Sequence, residues 1–69
     1  MLVNWQILTL KLRAVKPLSR IAKEIGAQER HLNRLARGDV KEPRWSTAIN
    51  LLNYYHDNIG DMDAIKEKY

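Results

Sequence analysis

The sequence has no cysteine, so neither a disulfide nor a thiolate-held metal can brace the fold. In 69 residues that is a real constraint. A single apolar core of this size gives only marginal stability, so dimerisation or ligand binding is an expected further source. The absence of thiols also fits a reducing cytoplasm. With three glycines there is no glycine-rich phosphate loop. The two histidines, His31 and His56, fall in different segments, and no His/Asp/Glu cluster has metal-ligand spacing. No serine or threonine stands beside a base in a recognisable nucleophile motif. No apolar run reaches membrane-spanning length, and Met1 to Pro17 has no signal-peptide cleavage pattern. Together these absences argue against an enzyme, and neither cofactor nor metal is expected. Repeats and low-complexity tracts are missing too, which leaves one domain over residues 1–69.

Charge is what the chain has in excess, and it is unevenly spread. Up to His56 there are ten Lys/Arg against four Asp/Glu; from Asp57 to Tyr69 there are two against four. A basic body with an acidic tail suits a polyanionic partner. Pro17 disfavours helix at Lys16 and marks the first boundary. Before it, Trp5, Leu8, Leu12 and Val15 follow helical spacing, with Asn4 as N-cap. Leu8, Leu10, Leu12 and Ala14 also alternate as in a strand. The all-α context favours helix for this segment. Further helices are expected at about 18–25, 28–37 and 46–57, the last capped by Ser46 or Thr47. After Gly60, residues 61–69 form one more short helix or fray.

Residues 18–37 carry the strongest signal. Two short amphipathic helices meet at Gly26, which can take the left-handed conformation that ends one helix and turns the chain. Ala22 lets the second helix cross closely, and Ile21, Ile25, Leu32 and Leu35 fill the inner faces. This is helix-turn-helix spacing, in which the second helix enters the DNA major groove. On a helical wheel, Leu32, Leu35 and Ala36 fall on one side and Arg30, Arg34 and Arg37 on the other. An arginine-rich face alone is ordinarily only solvated; the Ala22, Gly26, Leu32 spacing is what points to a groove. Position then assigns roles. Gln28, Glu29 and Arg30 stand at the N-terminal end, where base edges are reached, and Arg34 follows one turn later. Asn33 is an adenine reader or a solvated residue. Glu29 is a cytosine reader or a partner of the helix dipole. Arg37, Lys41 and Arg44 are expected at phosphates. His31 reads as a surface or phosphate-adjacent side chain. Trp5 and Trp45 read as core anchors. Tyr54, Tyr55, Ile59 and Met62, with Ile65, exceed what so small a core can cover, so a homodimer through helix four and the segment after it is expected.

From Leu18 to Trp45 the chain resembles, without a gap, the helix-turn-helix of the lambdoid phage repressor and Cro proteins. Ala22, Gly26, Leu32, Leu35, Gly38 and the Pro43-Arg44-Trp45 run carry the likeness. The resemblance implies a compact, four- to five-helix, lambda-repressor-like domain that binds two-fold operator DNA as a dimer. It implies base-reading at Glu29, Arg30 and Arg34 and phosphate contact at Lys41, Glu42 and Arg44. Leu18 departs from the family, where glutamine often touches the DNA backbone, and Glu42 stands where a base would serve better. The expected function is a Cro-type transcriptional repressor acting on DNA in the cytoplasm of a bacterial host. The other readings are the antitoxin of a toxin–antitoxin pair, and a protein-interaction module whose basic face meets an acidic protein.

Overall fold

Asn4 opens the first helix as its side chain dictates: its Oδ1 accepts the backbone N–H of Ile7 at 3.1 Å. In the computed structural model, which describes residues 3–66, four α-helices follow: α1 (Trp5–Val15), α2 (Leu18–Ile25), α3 (Glu29–Arg37) and α4 (Trp45–Asn58). A 3-10 turn, Met62–Ile65, closes the described part of the chain. The described residues contain no strand, only an isolated antiparallel bridge between Val3 and Lys66. Met1, Leu2 and residues 67–69 of the expected tail lie outside the described residues.

The ambiguous first segment is helical because its apolar residues close on one face. Leu8 and Leu12 are fully buried, and Thr9 between them donates its hydroxyl to the Trp5 carbonyl at 2.7 Å. The stripe is shorter than expected, since Val15 is 53% exposed. Helix α3 lies against both α1 and α2, α4 lies against α2, and α1 meets the closing turn. Leu18, Ile21 and Ala22 from α2, Leu32, Leu35 and Ala36 from α3, Leu51 and Tyr55 from α4, and Ile65 complete the core. Each large aliphatic buried this way contributes about 1.5–3 kcal/mol. Ile25, expected inside, is only half-buried.

Three further expectations need correction, and one left open is decided. Helix α3 begins at Glu29, because Gln28 is extended (φ −92°, ψ 134°) and serves as the cap. Helix α4 begins at Trp45 with Arg44 as its cap, so neither Ser46 nor Thr47 caps it. Residues 61–66 do not fray: Ile65 is fully buried and its carbonyl accepts the Asn4 N–H at 2.7 Å. Trp45 is not a core anchor. It is 80% exposed, because starting α4 at Trp45 puts the indole outside the Leu51–Tyr55 face.

Candidate nucleic-acid interface

The turn that joins α2 to α3 is set by one residue. Gly26 has φ 73° and ψ 27°, the left-handed region in which a Cβ is unfavourable. There the Ala22 carbonyl accepts the N–H of Gly26 and, at 2.9 Å, that of Ala27. Side chains from the outer helices hold the ends of the pair. Asn50 Nδ2 on α4 donates to the Ile25 carbonyl at 3.3 Å, and Gln6 Nε2 on α1 donates to the Ala36 carbonyl at 3.2 Å. Carbonyls that the helix itself leaves unpaired are thus tied to neighbouring elements. The result fixes how α3 sits on the body.

Anchored by Leu32, Leu35 and Ala36, α3 turns Glu29, Arg30, Arg34 and Arg37 outwards, all exposed. Asn33 is half-buried at the edge of this face. Gln28 is exposed, and its Oε1 accepts the Arg30 Nε–H at 2.9 Å. Arg37 instead donates its Nε–H to the Asp39 carboxylate at 3.1 Å. Glu29 occupies the first turn, where the helix dipole favours an acid.

The loop after α3 separates the two cations expected at phosphates. Arg44 shares a small recess of about 190 Å³ with Arg34, His31 and Thr47. Lys41 lines a larger groove on the other side, and Glu42 lines both. An acid therefore stands between the two cations and lowers the local positive potential. Leu18 belongs to the core, so no backbone-contacting side chain occupies the start of α2. Arg20 and Lys23 are exposed on α2 and add to the positive body of the chain.

A cluster without a signal in the motif holds the far side of the pair. The Tyr54 hydroxyl donates to Glu24 Oε2 at 2.6 Å, Lys16 Nζ lies 3.7 Å from Glu24 Oε1, and the same ammonium sits 5.6 Å from the Tyr54 ring centre. The Tyr54 hydrogen bond, helped by Lys16 and Arg20, holds the Glu24 carboxyl below its ordinary range. The three residues join the end of α1, α2 and α4.

The expected dimer residues are not one exposed patch. Tyr55 is fully buried, and its hydroxyl donates to the Asp61 carbonyl at 2.6 Å; burial, then the Asp61 charge, raises its pKa. It fills the core and cannot meet a second chain. Ile65 is likewise inside, while Tyr54, Ile59 and Met62 are half-buried against the core. Exposed apolar surface gathers elsewhere. Trp45, Ile49 (39% exposed) and Val40 (37%) rim a groove of about 870 Å³ floored by Val3, Trp5 and Leu52. A hint of it exists in the sequence: residues 45–56 carry no Asp, Glu, Lys or Arg. Among the described residues no group of His, Asp or Glu is arranged to hold a metal, and no helix is long and apolar enough to cross a membrane. No family model, curated protein or solved structure matches this chain.

Proposed function

We propose that the chain is a sequence-specific DNA-binding protein of the lambda-repressor-like, Cro type. In this reading α2, Gly26 and α3 form a helix-turn-helix, and α3 enters the major groove of operator DNA. The observation that carries it is the two-sided character of α3. Its back is fully engaged in the core, while its front offers Arg30, Arg34 and Arg37 to solvent. Arginine forks match guanine edges and phosphate oxygens, and the N-terminal end of such a helix is where bases are read. Glu29, Arg30 and Arg34 are then the base-facing residues, with Gln28 and Asn33 beside them. Arg37, Lys41 and Arg44 meet phosphates. Repression follows from occupying a promoter, with no catalytic step.

The operator is bound as a homodimer, and the groove around Trp45 is the contact we assign to the second copy. An exposed tryptophan on a helix stretch without charges has the composition of an interface centre. The loop 39–44 links this groove to α3. The spacing demanded by DNA is about 34 Å, one helical turn.

Selection from random duplex DNA tests the reading. The expected result is a palindromic consensus, bound with an affinity that falls steeply with salt, by about 0.9 log units per log unit of salt for each neutralised phosphate. Binding without sequence preference and with a shallow salt dependence refutes it, and favours the module that meets an acidic protein.

A further inference from the structure

We infer that Gln28 is a positioning residue for Arg30, and that this pair commits each half-site to a G·C base pair. The inference rests on the DNA-binding reading above. It starts from an unusual contact. Side chains two apart within a helix do not face each other. Gln28 and Arg30 do meet, because Gln28 stands just outside α3 with an extended backbone. Its side chain makes no capping bond to the helix, as the residue in that position commonly does. It turns along the outer face instead, and its Oε1 accepts the Arg30 Nε–H at 2.9 Å.

The three arginines of this face are therefore in three different situations. Arg37 is held by a carboxylate, which offsets its charge. Arg34 has no side-chain hydrogen bond among the described residues. Arg30 is held by a neutral amide, which fixes its direction and leaves its full charge for a ligand. With Nε occupied, the donors left to Arg30 are those on its two terminal nitrogens. That end-on pair matches O6 and N7 of guanine. Gln28 is thereby a weak adenine reader. Adenine recognition takes both the oxygen and the nitrogen of an amide to the base edge, and here the oxygen is turned towards Arg30.

The probe is the duplex selected by the wild-type protein, with a series in which each base pair is replaced singly. Wild type is expected to lose roughly 5- to 150-fold in affinity when one G·C pair of the half-site is replaced. Arg30→Ala abolishes that discrimination, since no donor then reaches O6 and N7. Gln28→Ala lowers it by about 2- to 12-fold, the cost of ordering a side chain that is no longer held in advance. Its melting temperature stays that of wild type. Gln28→Glu keeps the acceptor oxygen, so it retains more of the discrimination than Gln28→Ala, while its negative charge offsets that of Arg30 and weakens binding to every duplex. Wild-type discrimination in Gln28→Ala, or an equal loss in Gln28→Glu, overturns the positioning role and leaves DNA binding standing. A protein that selects no duplex overturns the inference together with the reading beneath it.

Discussion

Substitution at Gly26 tests the turn between α2 and α3 through the backbone alone. A Cβ built on Gly26 meets nothing within 4 Å, so crowding adds nothing to the cost. What remains is the left-handed conformation, φ 73°, which costs an L residue roughly 1–2 kcal/mol. A side chain also restricts the unfolded chain, which returns about 0.4–1 kcal/mol. Gly26→Ala should therefore destabilise by on the order of 1 kcal/mol. Gly26→Asn should lose less, because asparagine tolerates this region, and Gly26→Val more, because a branched Cβ tolerates it least. In a domain this small, 1 kcal/mol lowers Tm by about 4–8 °C. Gly38→Ala is the comparison. Its φ is 81°, and a Cβ there comes within 3.2 Å of the Gln6 amide that bonds the end of α3. It should cost more than Gly26→Ala, because Gln6 must also move. Thermal and urea unfolding followed by circular dichroism measure the series. A Gly26→Val protein that melts with wild type, or an asparagine variant less stable than the valine one, refutes the argument.

Other predictions concern charge, pH and assembly. Lys41→Ala should weaken binding to all duplexes alike and lower the salt slope by about one unit per protomer, about two for the dimer, read from titrations at several salt concentrations. Glu24 is held below its ordinary value of 4.5, so the stability it contributes is present above that pH and lost as pH falls through the lowered value. Tyr54→Phe should flatten this acid loss in a series of melting curves. Tyr55 is raised above 10.0, so its contribution is full below that pH and disappears as pH climbs through the raised value. Tyr55→Phe should remove the alkaline loss and cost about 1 kcal/mol at neutral pH for the bond to Asp61. Because the chain has no cysteine, Ile49→Cys gives a single thiol at the Trp45 groove, and Val15→Cys gives an exposed control on α1. Ile49→Cys should oxidise to a disulfide dimer far faster than Val15→Cys; equal rates count against a contact at the groove.

Helical register was legible where one face is wholly apolar. Leu32, Leu35 and Ala36 fix α3, and α2 has the expected bounds, because Pro17 and Gly26 punctuate both its ends. Asn4 was readable as a cap because its effect is local. The surface was harder to read. Nothing local distinguishes Tyr55, which is buried, from Trp45, which is exposed, since both are aromatic residues on one helix. Which of them lies inside depends on Leu8, Ile21 and Ile65, distant in sequence, and on α4 starting one residue early. The Tyr54–Glu24–Lys16 cluster joins three elements and leaves no periodic trace. For the arginine face, the sequence shows which residues share a side. Only the folded geometry distinguishes Arg30, held by an amide, from Arg37, held by an acid.

The bond from the Asn4 N–H to the Ile65 carbonyl has a kinetic meaning as well. It closes a loop reaching from residue 4 to residue 65, nearly the whole described chain. Contacts between helices adjacent in sequence, such as α2 with α3, close short loops and cost little chain entropy. The order of folding follows: the α2–α3 pair is available early, and the clasp is the late, expensive closure. The reverse order holds for opening. Release of the clasp exposes Ile65 and the first turn of α1 while Ile21, Leu32 and Leu35 stay together. Under native conditions the Asn4 amide should therefore exchange with solvent deuterium through a partial opening. Amides in the middle of α3 should wait for the whole domain to unfold.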